Sequence, residues 1–267
     1  MKAKSANANQ EMSFWEHLED LRGTLVRSVA GILVFSVAAF LNRNVIFDQV
    51  ILAPKDSDFI TNVLLCKLGK LLSLQSLCID DLSLQIINIQ MSGQFMIHLY
   101  ASMAVGFVMA SPYIVYQFWK FIVPALKPEE RKYSRRAVFV ISFLFIAGVL
   151  FSYFVIVPLT INFLGTYQVS EFVENRISLQ SYISTVISVT LGVGIVFELP
   201  VVIYFLARVG LVNSSFLRKN RKYMLIIILI IAAIITPPDV FSQILVSIPL
   251  LALYELSIYI AKRVNPE

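Results

Sequence analysis

The stretch "IITPPDVFSQ" (residues 234–243) decides how the chain is read. It follows a run from Leu225 to Ile235 with no polar residue, breaks on Pro237, Pro238 and Asp239, and turns apolar again within a few positions. Proline ends one helix and fits the first turn of the next, and a carboxylate there complements the second helix's dipole. The stretch therefore reads as the tight tip of a helical hairpin. Both arms look short, at residues 223–236 and 240–261, the second with Ser242 and Gln243 at its start and Glu255 near its end. A hairpin of that height has its tip below the usual membrane surface and thins the bilayer around it.

Composition places this hairpin in a membrane. Of 267 residues, 58% are hydrophobic and only 15% charged, with mean hydropathy +0.77; soluble domains are about a quarter charged. A span needs roughly 20 residues, and candidate spans fall at 25–46, 95–119, 137–164, 182–207, 223–236 and 240–261. The expected fold class is an all-α polytopic membrane protein, with residues 1–12 a disordered tail and 13–267 a single membrane domain. The net charge of +5 does not imply a nucleic-acid partner, because the basic residues cluster between apolar segments. Residues 1–24 are polar, and the first apolar run leads into "LNRNVIF" (41–47) rather than a small-residue cleavage site, so no cleavable signal is expected.

Orientation follows from Lys and Arg. With six spans both termini share a side, and that side holds seventeen of the basic residues. The other side holds five: Arg43, Lys55, Lys67, Lys70 and Arg176. The excess marks the cytoplasmic face. The outer side then carries a long loop, 47–94, in which "VLLCKLGKLLSL" (63–74) reads as an amphipathic helix on the outer leaflet. A shorter second loop is "GTYQVSEFVENRISLQ" (165–180).

Cys66 and Cys78 lie twelve apart in the first outer loop, with no His at metal spacing, which argues against zinc. An oxidising compartment favours a disulfide between them, and closing so short a loop contributes roughly 3 kcal/mol; two free thiols are the alternative. His17 and His98 stand alone and read as surface or packed residues.

Charges within spans are expensive and usually functional. Glu198, in "VGIVFELPVVIYF" (193–205), is the clearest, two residues before Pro200, which kinks the span. It is either a structural carboxylate bonded to a neighbouring helix or a group used in transport or partner contact. Asp239 and Gln243 come next, and Glu255 is close enough to the end of its span to snorkel. On the cytoplasmic side, Ser13 and Glu16 match a capping box, and Trp15, Leu18, Leu21 and Leu25 form an apolar stripe while Glu16 and Asp20 share another face. Pro128, Glu129 and Glu130 read as a helix start. Spacing alone fits ordinary capping beside positive-inside residues. No zinc-hydrolase, nucleophile-elbow or phosphate-loop motif occurs, so neither an enzyme nor a cofactor or metal is expected.

Taken together and in order, "HLEDLR" (17–22), "YQFWKFIVPALKPEER" (116–131), "FELPVV" (197–202) and "TPPDVFSQ" (236–243) resemble the TatC family, the multispanning receptor of the twin-arginine protein translocase. The resemblance implies a cup-shaped bundle of six helices, the two C-terminal ones short, in the bacterial cytoplasmic (inner) membrane. It implies an oligomeric, non-enzymatic assembly with TatA- and TatB-type single-span subunits. It also implies binding of Arg–Arg signal peptides on folded cargo, and export driven by the proton-motive force. Carried over by position, Asp20 stands where the family has a glutamate, keeping the carboxylate on an arm one methylene shorter, and Arg22 is the arginine of that motif. The loop glutamate falls on Glu130, followed by Arg131, and the aromatic residue nine positions earlier is Phe121. The intramembrane glutamate is Glu198, the hairpin residues are Asp239 and Gln243, and Pro54 matches the proline after the first span. The 55–90 loop is longer than the family's, and its cysteines have no counterpart. Two carboxylates suit a diarginine ligand, because the guanidinium fork pairs with carboxylate bidentately and lysine does not. The competing reading is a proton-coupled small-solute transporter using Glu198; such transporters show internal repeats, and none is visible.

Single cysteines at Ser5 and Ser170, in a background lacking Cys66 and Cys78, are expected to react with an impermeant maleimide from opposite sides of the membrane. Labelling from one side would reject the orientation.

Overall fold

The computed structural model describes residues 14–71, 85–125, 134–170, 172, 175–237 and 239–264. Within them the long helices α1 (Phe14–Leu41), α3 (Gly93–Ile122) and α4 (Ser134–Phe151) continue the expected spans. Helix α4 passes through a π-helical turn, Ser152–Ile156, into α5 (Val157–Thr166). The fourth span is α6 (Leu179–Val196) followed by α7 (Leu199–Arg208); after the short α8 (Ser214–Lys219) come α9 (Arg221–Ile235) and α10 (Val240–Val264). Five segments are long and apolar enough to cross a membrane: His17–Leu41, Gly93–Ile122, Arg136–Thr166, Leu179–Arg208 and Val240–Val264. Helix α9, at 15 residues, is the short one.

The last hairpin refines the expectation of two short arms. Helix α10 runs for 25 residues, beyond the 240–261 read from sequence. Its Glu255 pairs with Arg221 at 2.7 Å, opposite the first residue of α9, and the helix stays apolar beyond it to Ala261. Helix α9 alone is the short arm, about 22 Å at a rise of ~1.5 Å per residue. That is well short of the roughly 30 Å hydrocarbon core.

The core centres on α6, whose Tyr182, Ile183, Val186, Ile187, Val189 and Val193 are buried against the neighbouring spans. Between helices the packing relies on small residues, as expected where lipid is as apolar as leucine. A Cβ on Gly106 of α3 would lie 2.2 Å from Ser36 Oγ and 2.6 Å from the Ser36 backbone nitrogen on α1. Between α4 and α6, a Cβ on Gly148 would lie 3.0 Å from Gly194 Cα. The face of α1 turned to α3 carries buried Thr24, Ser28, Ser36 and Ala39. The apolar stripe read from sequence faces outward instead: Trp15, Leu18 and Leu25 are exposed. In a membrane the greasiest face belongs to the lipid.

On the side of the molecule away from the start of α1, a π-helical turn (Val45–Ile51) and a 3-10 turn (Ala53–Lys55) lead to α2 (Ile60–Leu71). The expected amphipathic helix forms a few residues earlier than read. It leaves Ile60, Val63, Leu64 and Leu71 exposed beside Lys67 and Lys70. Pro54 is fully buried, and Asn62 donates to the carbonyls of Pro54 and Asp56 at 3.4 and 2.8 Å. Phe59 wedges against Tyr153 and Phe154. A short parallel pair, β1 (Gln85–Ile87) with β2 (Arg176–Ser178), stitches the two loops of this side together. Nothing in the sequence pattern announced these strands. Cys66 lies on α2; Cys78, like Ser13 and the 126–133 connection with Lys127, Pro128, Glu129, Glu130 and Arg131, lies outside the described residues.

Gly106→Val is expected to force α1 away from α3. Overpacking typically costs about 1–3 kcal/mol, and the clash with Ser36 backbone puts this variant at the upper end. Thermal melting in detergent should show it, and Ser36→Ala should fail to restore the stability.

Candidate functional site

The terminus-side end of the α1–α3 pair gathers several of the residues singled out in the sequence. His17 stacks on Phe121, ring centroids 4.3 Å apart and 22° from parallel. Asp20 lies one helical turn on from His17, on the same face by i, i+3 geometry, and is exposed. Arg22 is also exposed. Neither Asp20 nor Arg22 forms an ion pair among the described residues. Deeper in the same seam, Arg27 Nη1 donates to Oε1 of the buried Gln117 at 3.3 Å. Trp119 packs near Phe205 of α7, centroids 5.7 Å apart, tying the end of α3 to the fourth span. Sequence reading missed His17, Arg27 and Gln117 as parts of this seam. Its one signal was a glutamine inside the apolar run "YIVYQFWKF" (113–121).

Glu198 occupies the break in the fourth span. Helix α6 stops at Val196, and α7 starts at Leu199 with Pro200 in its first turn. Proline has no N–H to continue the ladder; the Glu198 carbonyl instead accepts from Val201 and Val202 at 2.9 and 3.0 Å. The side chain lies beside the backbone of Phe145 on α4. Both of its carboxylate oxygens are buried without a hydrogen-bond partner. The structural alternative, a carboxylate bonded to a neighbouring helix, would rest on the Phe145 backbone alone, which lies beside the carboxylate but outside hydrogen-bond geometry.

At the hairpin tip Asp239 caps α10, its Oδ1 accepting from the Ser242 backbone N–H at 2.6 Å. Gln243 reaches back to α9, its Nε2 donating to the Leu229 carbonyl at 3.0 Å. Thr236 Oγ1 donates to Ala232 O at 2.9 Å. Pro237 lies between Thr236 and the cap; Pro238 lies outside the described residues. Phe241 stacks on Phe163 of α5, centroids 4.1 Å apart. Asp239 Oδ2 and the Ser242 hydroxyl are buried and unpartnered. The tip is therefore pinned on one side and polar within.

Residues 16–249 match the family model described as Sec-independent protein translocase protein (TatC). The chain belongs to the TatC family. It is 46% identical over 257 residues to the Sec-independent protein translocase protein TatC of Blattabacterium sp. subsp. Periplaneta americana (strain BPLAN), covering 96% of this chain and 97% of that one. To the TatC of Aquifex aeolicus (strain VF5) it is 34% identical over 252 residues, 94% of this chain and 95% of that one. A crystal structure of the twin arginine translocase receptor TatC superposes with a TM-score of 0.71 at 34% identity, covering 93% of this chain and 99% of that one. This TatC-family chain is a multispanning component of a protein translocase, a transporter and not an enzyme. The small-solute reading of Glu198 gives way to that membership.

Glu198 has no contact of hydrogen-bond geometry to lose, only the Phe145 backbone beside it, so Glu198→Gln is expected to melt at or above the wild-type temperature while transport of a cargo protein falls. A matched loss of melting temperature and transport would show that the residue serves the fold alone.

Proposed function

We propose that this chain is the receptor that recognises Arg–Arg signal peptides at its cytoplasmic face and, with TatA- and TatB-type single-span subunits, passes folded cargo across a bacterial cytoplasmic membrane using the proton-motive force. Membership of the TatC family supports the frame. The observation that carries the binding step is Asp20, an exposed carboxylate with no ion-pair partner among the described residues. It sits on a helix end locked by the His17–Phe121 stack. A free carboxylate on a fixed backbone is what a guanidinium fork needs. In this reading Glu130 supplies the second carboxylate, Arg22 and Arg131 orient the pair, and Phe121 lines the peptide's path. Both termini face the cytoplasm, in keeping with seventeen basic residues on that side against five. Glu198, Asp239 and Gln243 form partner-contact positions within the membrane, where a neighbouring single span supplies what Glu198 lacks. Cys66 and Cys78 close a disulfide in the outer loop.

A hydrogen bond to a charged partner is worth about 1.5–3 kcal/mol, and an exposed pair about 0–1 kcal/mol. Asp20 is exposed, so Asp20→Ala is expected to weaken peptide binding by up to about fivefold, Glu130→Ala similarly, and Asp20→Glu little. High salt should act like the alanine variants. Titrating the purified protein with Arg–Arg and Lys–Lys versions of one signal peptide tests this. Binding that is blind to both Glu130→Ala and the Lys–Lys change would end the receptor reading.

A further inference from the structure

On the side of α2, where α1 ends and α3 begins, a cleft of about 400 Å³ is lined by Arg43, Phe47, Asp48, Gln94, Phe95 and His98, among others. Nothing in the translocation reading uses it. What builds it is the π-helical turn Val45–Ile51, where Leu52 N bonds Phe47 O at 2.8 Å across five residues. A π-helix closes its bonds at i→i+5, so residues four and five apart come round to one face. Arg43 and Asp48 are five apart, as are Phe47 and Leu52, and Phe47, Asp48 and Leu52 all line the cleft together with Arg43. In an α-helix a five-residue spacing fans well away from one face. A π-turn is rare and often marks a functional site; here it places a cation and a carboxylate in one concavity.

The rest of the cleft is set in advance. His98 stacks on Phe40, centroids 3.9 Å apart, and meets Phe47 edge-on at 5.4 Å. Its Nε2 is 3.1 Å from the Phe40 carbonyl. A carbonyl only accepts, so Nε2 carries the proton, and in the neutral ring Nδ1 is left as an acceptor. Neither Arg43 nor Asp48 is ion-paired among the described residues. The lining thus combines donors (Arg43, the Gln94 amide), acceptors (Asp48, His98 Nδ1) and aromatic walls (Phe47, Phe95). It lies just past the end of the first apolar span, Leu41, and at the start of the second, Gly93, the ends of a span being where headgroups are met.

We propose that this cleft binds one zwitterionic phospholipid, its phosphate on Arg43 and its primary ammonium on Asp48 and His98 Nδ1. A purely anionic headgroup would face Asp48 with no cation to offer it. A choline nitrogen has no N–H to donate to either acceptor. The aromatic walls and the position at the ends of α1 and α3 favour a lipid over a soluble phosphate ester.

Native mass spectrometry of the full chain, delipidated in detergent and titrated with matched short-chain lipids, tests the site. Phosphatidylethanolamine is expected to be retained under conditions that strip phosphatidylglycerol and phosphatidylcholine. Arg43→Gln should weaken its retention about tenfold, the scale of one charge-assisted hydrogen bond. Asp48→Asn should lower it to the phosphatidylcholine level. Both variants should melt as the wild type does, since neither residue has an ion pair among the described residues to lose. Equal retention of the three lipids, or retention unchanged in both variants, overturns the site. Displacement by free phosphoethanolamine as effective as by the lipid overturns the assignment to a membrane lipid.

Discussion

A backbone polar group buried among packed helices has no water to fall back on, and much of this structure follows from how each interruption of a helix is answered. The π-turn after α1 leaves carbonyls at Val50 and Ile51, and two tyrosines from other spans donate to them: Tyr153 to Val50 at 2.7 Å and Tyr182 to Ile51 at 3.1 Å. Those two bonds join the first, third and fourth spans at one level. Thr61 donates to the Phe154 carbonyl at the second π-turn, which brings α2 into the same knot. On the terminus side the buried Tyr254 hydroxyl donates to Leu217 O of α8 at 2.8 Å. Each of these breaks therefore doubles as a cross-link between helices.

The legible part of the fold was the part governed by the membrane itself. Apolar run lengths located the spans, and Pro237 with Asp239 gave away the hairpin tip, because proline punctuation and capping are local chemistry. Which face of each helix turns inward was not legible by the rule that serves soluble proteins. There the apolar stripe of α1, with Trp15, Leu18 and Leu25, would be buried. Here it is exposed, and Thr24, Ser28 and Ser36 make the seam. The driving force between helices in lipid is close approach, not removal of apolar surface from water. Small polar residues at helical spacing were the usable signal.

Contacts between distant segments were illegible for a different reason. The β1–β2 pair joins residues about ninety positions apart through three residues on each side, too few to show a period-2 pattern. The tyrosine donors are single polar atoms on residues that otherwise count as apolar. At the candidate site the sequence located Asp20 and Phe121 as separate motif positions. The stack of His17 on Phe121 that puts them at one end of the same seam needed coordinates.

Glu198 is the place where the closing rule is left open. The break before α7 satisfies its own backbone through Val201 and Val202, so the glutamate is not needed to cap it. Asp239 at the hairpin tip gives the contrast: one of its oxygens caps α10, and only the other is unpartnered. Both oxygens of Glu198 are buried with no partner in hydrogen-bond geometry, only the Phe145 backbone nearby, beside helices that approach closely through Gly148 and Gly194. A buried unpaired carboxylate is unfavourable in a lone chain, and a fold under selection for stability alone would replace it with an apolar residue of similar volume. Elsewhere the bundle meets broken helices with tyrosine, threonine and asparagine donors, so suitable donor chemistry is within its repertoire. Under the proposed function the donor at Glu198 arrives from another chain, and on that proposal a defect of the isolated bundle becomes a contact reserved for assembly.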